Sequence, residues 1–336
     1  MTFSKLHKLS HVLLLIVMFA MVSCTTPKRD YITVEGEALG TFVQVKCSTA
    51  HPSTDIQERV AAIDREMKAS MSIFNNESLL SDINYNRSNS LDEHLKYNIE
   101  LAERFYTLSH GAYDITVKPL TDAWGFGRDM SVAEPNIDSL LQFVGHDLIT
   151  IEDNTLIKQD SRTQIDLNSI AKGYTVDVVA EELETLGIVD YIVNIGGEIR
   201  CRGRNAEGKL WSIGIETPYD GNMEMDSIEK VIQIGDGALA TSGNYRRFYL
   251  NDKGQKIVHT IDPRTGYSVS STLLSATVVA PTCAEADAAA TMFMAIGSEG
   301  GATELAKECQ KSYGWKYYFI FADGDNYRIE CSEEFK

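Results

Sequence analysis

The sequence lacks the motifs that identify several large classes of enzyme. It contains no G-x-G-x-x-G, no H-E-x-x-H and no G-x-S-x-G. The motif anchors of nicotinamide dehydrogenases, zincin proteases and α/β-hydrolases are therefore missing. The run from Gly203 to Lys209 has P-loop spacing, but Leu210 stands where Ser or Thr must hold magnesium. Because it joins two predicted strands rather than a strand and a helix, we predict a hairpin connection there.

Cysteine is sparse and does not form a recognisable metal or redox motif. The six cysteines include no C-x-x-C pair, and none has histidines at zinc-like spacing. If Cys24 is modified, five remain, and an odd number leaves at least one free thiol or an intermolecular bond. The spacing does not predict which cysteines would form a disulfide.

Long apolar runs are absent except at the amino terminus. There, eleven apolar residues from Val12 to Val22 follow a basic start, too few to span a bilayer. A basic start, a short apolar segment and a small residue before Cys24 resemble a bacterial lipoprotein signal. We predict a signal peptide over residues 1–23, lipidation of Cys24 and a tether over residues 24–30. The alternative is an uncleaved short anchor.

Basic residues are outnumbered by acidic ones. The chain has 31 Lys and Arg against 48 Asp and Glu, a net charge of −17. Removing residues 1–23 would take away Lys5 and Lys8 and no acidic residue, leaving −19. Such a charge repels nucleic acid and does not attract anionic lipid. We therefore expect no nucleic-acid partner, and membrane attachment would depend on the lipid at Cys24.

Strand and helix patterns continue from Tyr31 to Cys331 without repeats or an internal linker. Apolar periodicity and capping residues predict helices that begin at Ser53 or Thr54 and that span about Asp92–Ser109, Ala171–Leu186, Cys283–Ile296 and Thr303–Gln310. Strands are predicted at 41–46, 191–195, 211–215, 231–234, 245–250, 258–261, 273–279, 317–322 and 327–330. Without strict βαβ alternation, these elements indicate an α+β fold with a mixed or antiparallel sheet. We expect one domain over residues 31–336.

The stretch from Asp166 to Asp177 combines a strand end, a turn and a helix start. Lys172 falls in the first turn of that helix, where free N–H groups and the helix dipole favour an anion. The helix dipole disfavours a lysine at this position. An anion bound by both the lysine and the helix N–H groups would explain why Lys172 is there. The alternative is a solvated lysine at an ordinary strand-to-helix junction.

Two further segments carry chemically useful residues. Thr282 to Glu285 fits a capping box, so Asp287 and Thr291 share one face of the following helix and suit a hard cation such as Mg²⁺. The structural alternative is an Asp near the helix start with a packed Thr. His259 precedes an Asp-Pro turn that ends at Gly266, and its titration range suits proton transfer. The turn alone explains Asp262 to Gly266 but not His259.

Eight short stretches, each weak alone, occur in a defined order along the mature chain: 39–41, 71–75, 111–114, 166–177, 194–198, 240–243, 259–266 and 286–291. In this order they resemble the FAD:protein FMN transferases, the ApbE family of flavin-inserting lipoproteins. Leu39, Tyr113 and Asn168-Ser169 depart mildly from the family's usual residues.

The resemblance implies a single ApbE-type, T-fold-like domain that transfers FMN from FAD to a threonine of an acceptor protein and releases AMP, using Mg²⁺. It implies that Asp287, Thr291 and the backbone carbonyl of Ser169 hold the metal and that Lys172 contacts a phosphate. His259 is the candidate base, and it completes a catalytic set with Lys172 and Asp287. The expected FAD contacts, besides Lys172, are Leu39, Phe74, Ala112, Tyr113, Asp114, Asp166 and Ile261.

Two other functions use the same features. One is a Mg²⁺-dependent FAD pyrophosphatase that gives free FMN and AMP, and the other is a non-catalytic FAD-binding lipoprotein. For a transferase, the resemblance implies acceptor flavoproteins of extracytoplasmic or membrane electron-transfer systems. With a lipid on Cys24, the enzyme would lie on the periplasmic or extracytoplasmic face of a bacterial cell membrane.

Overall fold

An eight-stranded sheet forms the centre of the fold. The structure, a computed structural model, describes residues 30–127, 135–219, 227–245, 247–324 and 326–335. Within these residues the strands are β1 Tyr31–Ala38, β2 Thr41–Ser48, β3 Ile149–Glu152, β4 Thr155–Lys158, β5 Tyr191–Ile195, β6 Glu198–Arg202, β7 Trp211–Glu216, β8 Ile228–Ile234, β9 Asp236–Gly243, β10 Phe248–Leu250, β11 Lys256–Val258, β12 Leu273–Ala280, β13 Lys316–Asp323 and β14 Asn326–Cys331.

The large sheet is antiparallel throughout. Its strand order is β1-β2-β5-β6-β9-β12-β13-β14, and each neighbouring pair is antiparallel. Three two-stranded sheets, β3-β4, β7-β8 and β10-β11, complete the strands in the described residues. The predicted α+β class is confirmed. A mixed or antiparallel sheet was expected, and the sheet is antiparallel.

The helices contribute most of the apolar core on one face of the sheet. They are α1 Ser53–Met71, α2 Leu79–Asn84, α3 Glu93–Leu108, α4 Lys118–Ala123, α5 Ile137–Leu140, α6 Ala171–Thr185, α7 Cys283–Ile296 and α8 Ala302–Tyr313. Eleven of the fourteen residues of α7 are buried, many of them alanines. This helix packs on β9, β12 and α6, because small side chains allow such close approach.

The two faces of the sheet belong to separate apolar clusters. On β13, Tyr317, Phe319 and Phe321 join the helices in the larger core, while Tyr318 and Ile320 point to the other face. There they pack with the β7-β8 hairpin. The alternation follows from the two-residue period of a strand. Both faces of the central strands are therefore covered, and the helix side carries the site described below.

Several elements were predicted closely, but some strands, among them β1, β6 and β9, were missed. Helix α7 and strand β5 have the predicted bounds, and α3 and α6 differ by one residue at their ends. Strand β1 was not predicted, although Gly40 was expected to allow a tight turn. Leu39 and Gly40 have φ of 52° and 75°, which gives the two-residue hairpin between β1 and β2. Strand β9, also missed, has small residues from Gly237 to Gly243, which carry little strand signal.

Other predictions need correction at their boundaries. Helix α1 is capped by Pro52 with no side-chain hydrogen bond, so neither Ser53 nor Thr54 caps it. Strand β11 ends at Val258, because the turn after it begins earlier than expected. The Gly203–Lys209 segment joins β6 of the large sheet to β7 of a small one, so it is not a hairpin connection.

The predicted signal peptide of residues 1–23, the lipidated Cys24 and most of the 24–30 tether lie outside the described residues. Within the described ranges, no helix combines the length and apolar character needed to cross a membrane. Of the described cysteines, Cys47, Cys201, Cys283 and Cys309 are buried free thiols. Burial raises the pKa of Cys47 to about 11 and that of Cys201 to about 12, so both are weak nucleophiles.

Candidate active site

A cavity of about 150 Å³ brings together residues from five separate parts of the chain. Eight of the predicted site residues line it: Ala112, Tyr113, Asp114, Asp166, Ser169, His259, Ile261 and Thr291. Ala112 and Thr291, the first and last of these residues, are separated by 178 positions in the chain. The fold, rather than local sequence, therefore creates the site. Lys172 and Asp287 lie beside this lining on α6 and α7.

The crossing of α6 and α7 forms the floor of the site. A Cβ at Gly173 would lie 2.3 Å from the carbonyl oxygen of Cys283, so only glycine allows this approach. The Gly173 N–H donates to Oδ2 of Asp287 at 3.0 Å. One turn further along α6, Asp177 accepts hydrogen bonds from the N–H groups of Cys283 (2.9 Å) and Ala284 (2.8 Å). Asp177 thus caps α7 and fixes the position of Asp287.

Asp287 is a buried carboxyl group with incomplete charge compensation. Burial raises its pKa to about 7, Glu198 acts in the same direction, and Lys172 opposes both. The hydrogen bond from the Gly173 N–H positions the Asp287 carboxyl group. Burial disfavours the charged form of this carboxyl group. A bound cation would compensate that charge and would interact with it more strongly than it would in water.

Lys172 forms an ion pair that the sequence analysis did not anticipate. Its Nζ donates to Oε1 of Glu198, the first residue of β6. Burial alone would lower the pKa of Lys172, but Glu198 and then Asp287 outweigh that effect and raise it. The Lys172 side chain keeps 36% of its surface accessible. The lysine is therefore charged and held, yet still open to a ligand, unlike the fully solvated side chain considered as the alternative.

Thr291 lies one turn beyond Asp287 on α7 and lines the cavity. Its Oγ1 is 3.1 Å from Oγ of Ser242 on β9. No group of three or more His, Cys, Asp or Glu side chains suitable for a metal occurs in the described ranges. A cation here would therefore rely on one carboxylate, neutral oxygens and a ligand's own phosphates, which is the usual pattern for Mg²⁺. The buried Asp287 and the neighbouring Thr291 hydroxyl fit that pattern.

Ser169 and Tyr113 form a polar contact on the cavity wall. Oγ of Ser169 donates to the Tyr113 hydroxyl at 2.8 Å, and burial raises the pKa of Tyr113 well above its usual range. The tyrosine therefore stays neutral. The side chain of Ser169 is engaged with Tyr113, and the resemblance assigns its backbone carbonyl, not its hydroxyl, to the metal.

His259 lines another part of the cavity wall, just after β11. Burial, reinforced by Arg247, lowers the pKa of its imidazole to about 4, so the ring is neutral at physiological pH. Its Nδ1 is 3.3 Å from the Arg247 carbonyl oxygen, and its ring lies 6.3 Å from that of Phe126. A neutral imidazole can accept a proton, as the sequence-based hypothesis requires.

Asp114 and Asp166 are engaged with their own turns. Oδ1 of Asp114 accepts from the N–H and hydroxyl of Thr116, and Oδ2 accepts from the N–H of His146. Oδ1 of Asp166 accepts from the N–H of Asn168 at 2.8 Å. Burial raises the pKa of both carboxyl groups. Both line the cavity, but Asp114 mainly holds the loop that shapes it.

Leu39 and Phe74, predicted as FAD contacts, do not belong to the cavity lining that the structure describes. Leu39 sits in the β1-β2 turn, where its N–H donates to Oδ1 of Asp64 at 2.7 Å. Phe74 is 54% exposed. Phe74 is thus an accessible aromatic ring outside the cavity lining.

Other residues of the site or its border had no predicted role. Among them, Ser242, Phe126 and Arg247 line the cavity, and Glu198 pairs with Lys172. Glu198 had a sequence signal, because it directly follows two glycines after a strand, a position that suits close backbone approach. Phe126 belongs to a run of aromatics and glycines, Trp124 to Gly127, that structural anchoring alone explains, and Arg247 gave no signal, since an isolated arginine in a loop is common.

The fold matches those of solved flavin transferases. The chain superposes on a structure titled flavin transferase ApbE from Vibrio cholerae with a TM-score of 0.80 and 32% identity, covering 91% of this chain and 98% of that one. It superposes on the ApbE protein of Thermotoga maritima with a TM-score of 0.79 and 27% identity, again over 91% of this chain and 98% of that one. The class is therefore that of the flavin-transferase fold.

Sequence comparison gives the family itself. The ApbE family model matches residues 39–314. A Haemophilus influenzae protein named FAD:protein FMN transferase is 34% identical over 98% of this chain and 97% of its own length. A Vibrio cholerae protein of the same name is 35% identical over 84% of this chain and 86% of its own. The chain belongs to the ApbE family.

Proposed function

We propose that this chain transfers FMN from FAD to a threonine hydroxyl of an acceptor protein, with Mg²⁺, and releases AMP. The observation that carries the proposal is one cavity lined by both a neutral His259 and Thr291, beside Asp287 and Lys172. This arrangement combines a proton acceptor with a cation site and a phosphate contact. The relatives named FAD:protein FMN transferase support the same reaction.

Asp287, Thr291 and the carbonyl of Ser169 would hold the metal ion. The fit rests on the buried carboxyl of Asp287, whose pKa is raised to about 7 by burial, and on the Thr291 hydroxyl at the cavity wall. When bound, Mg²⁺ neutralises charge on the pyrophosphate during displacement. Lys172, charged and partly accessible at the start of α6, binds a pyrophosphate oxygen.

His259 accepts the proton of the incoming threonine. As that proton leaves, the threonine oxygen bonds to the phosphorus of the FMN half, and the bond from this phosphorus to the bridging oxygen breaks. AMP departs with the bridging oxygen. The cavity wall orients the flavin half, where Phe126 offers an aromatic face at 6.3 Å from the His259 ring.

One assay separates this reaction from its alternatives. The protein is incubated with FAD, Mg²⁺ and candidate acceptor proteins, and a denaturing gel is examined for flavin fluorescence. A fluorescent acceptor band supports transfer. AMP with free FMN would instead indicate a pyrophosphatase, and intact FAD would indicate a protein that only binds flavin. Either of the last two outcomes, with acceptors from several electron-transfer systems, would contradict the proposed function.

We further propose a lipid anchor at Cys24 that holds the enzyme on the extracytoplasmic face of a bacterial membrane, where its acceptors are flavoproteins of electron-transfer systems. The basis is the amino-terminal sequence alone. A Cys24→Ala variant should move from the membrane fraction to a soluble or uncleaved form. Unchanged membrane attachment with a cleaved amino terminus would contradict it.

A further inference from the structure

Glu198 is the least explained charged residue beside the active site. Its side chain is only 5% exposed, and its Oε1 accepts from Nζ of Lys172. Its other carboxylate oxygen, Oε2, is buried without a hydrogen-bond partner within the described residues. An incompletely satisfied buried carboxylate is costly, so its presence calls for a role that a neutral side chain would not perform.

The position of Glu198 is fixed by the turn that precedes it. Gly196 and Gly197 have φ of 64° and 108°, a backbone shape that other residues adopt only with strain. A Cβ at Gly196 would lie 2.8 Å from Cγ2 of Thr41, and Asn194 accepts from the Gly197 N–H at 3.0 Å. The turn therefore directs Glu198 back toward the start of α6.

Two acidic groups, Glu198 and Asp287, act on Lys172. The Lys172 ammonium donates to Glu198, while the carboxylate of Asp287 accepts from the neighbouring Gly173 N–H at 3.0 Å. Both acids act on the charge of Lys172. If Lys172 paired with Asp287 instead, its ammonium would occupy the carboxylate that a metal ion needs.

We propose that Glu198 is a positioning residue that keeps the Lys172 ammonium on the β6 side of the helix start, so that Asp287 stays available to a cation. The inference rests on the proposed metal site at Asp287 and Thr291. It assigns Glu198 no contact with FAD, the metal or the acceptor. Its positioning effect passes through Lys172 and is separate from the direct electrostatic action of Glu198 on Asp287.

Binding of Mn²⁺ alone to the substrate-free protein, followed by electron paramagnetic resonance, tests the inference without turnover. Glu198→Gln keeps the shape of the side chain but removes its charge, and should weaken Mn²⁺ binding about tenfold, the effect of about one pKa unit of lost charge compensation. Glu182→Gln is the matched control, because Glu182 also forms an ion pair, with Arg59 of α1, and lies near the far end of α6 from Lys172. It should bind Mn²⁺ as the wild type does.

A double-mutant cycle separates positioning from a direct charge effect. Lys172→Met should strengthen Mn²⁺ binding more in the Glu198→Gln background than in the wild type, because only there is Asp287 occupied by the lysine. Equal effects in the two backgrounds would mean that each charge acts on the metal independently and would overturn the inference. So would unchanged Mn²⁺ binding by Glu198→Gln.

Two outcomes keep this inference distinct from the proposed function. A wild type that binds Mn²⁺ but labels no acceptor contradicts FMN transfer, while the cycle still measures the role of Glu198. A wild type that labels acceptors but binds no Mn²⁺ overturns the role given to Glu198. If Glu198→Gln alone does not fold, Glu198→Asp, which keeps the charge on a shorter side chain, should give intermediate Mn²⁺ binding, and wild-type binding there would contradict the inference.

Discussion

The two walls of the cavity are built in different ways. The helix wall, with Asp287 and Thr291, lies on α7 and is fixed by the capping of that helix by Asp177 and by the close approach at Gly173. The other wall carries His259 after a three-residue strand whose hairpin, β10-β11, pairs only with itself among the described strands. The proposed metal and phosphate contacts thus lie on two closely packed helices, and the proposed base lies beside a small, separate hairpin.

Removing the carboxylate of the helix wall should have the largest effect and is the strictest test of the proposed metal site. Asp287→Ala should lower Mg²⁺-dependent FMN transfer about 10³-fold or more, because it removes the charged metal ligand and several kcal/mol of charge stabilisation. FAD binding, measured by fluorescence, should partly survive. Asp190→Asn, which alters another buried acid that accepts from the Arg204 N–H at 2.8 Å, serves as control. Full Mg²⁺-dependent activity of Asp287→Ala would disprove the metal assignment.

Removing the imidazole tests the other wall. His259→Gln should lower FMN transfer about 10²-fold or more, the usual contribution of a positioned base, with FAD affinity within a few fold of the wild type. The comparison of transfer rate and FAD affinity shows whether the histidine acts in the chemical step. Transfer at the wild-type rate across the pH range would rule out its role as the base.

The pH dependence sharpens the same point. Burial lowers the pKa of His259 from 6.5 to about 4, so the neutral base persists, and transfer should not fall at pH 6.5 on its account but only as pH approaches about 4. Because the unfolded state binds this proton first, the contribution of His259 to stability is complete above pH 6.5 and is lost as pH falls toward 4. Rates for wild type and His259→Gln between pH 4 and 8 provide the check, and a midpoint near 6.5 assigned to His259 would contradict a buried imidazole.

A third change tests the rigidity of the helix wall. Gly173→Ala places a Cβ 2.3 Å from the Cys283 carbonyl oxygen, so α6 and α7 must separate, at a cost of about 1–3 kcal/mol in the free energy of unfolding. Denaturant titration measures this loss. Gly36→Ala is the control, because its Cβ would meet only Val43 at an ordinary 3.8 Å. Equal stability of the two variants would show that the crossing is not closely packed.

The smallest expected effect concerns the hydroxyl next to Thr291. Ser242→Ala removes the contact at 3.1 Å from Thr291 Oγ1, a hydrogen bond of about 1 kcal/mol. The Mg²⁺ concentration for half-maximal activity should change by about fivefold, with the maximal rate little altered. A complete loss of activity would instead assign Ser242 a direct part in the reaction.

Helical parts of the structure were the most predictable. The capping box at Thr282 fixed the start of α7, and its Oγ1 does accept from the Glu285 N–H at 3.3 Å. Asp287 and Thr291 were then correctly placed on one helix by their spacing. Strand β9 was not predicted, because its glycines and alanines have low strand propensity. These small residues pack against α7. Short sequence patterns predict local hydrogen bonds well, but they predict long-range packing poorly.

The sequence by itself determined the family, the α+β class and the residue types of the site, because these depend on short motifs and on periodicities of a few residues. Only the tertiary structure decided that His259 and Thr291 line one cavity and that Lys172 pairs with Glu198. It also decided that the pKa of His259 is low and that of Asp287 high, since burial is the main cause of both. Burial and long-range contacts depend on how the whole chain folds, which no short segment encodes.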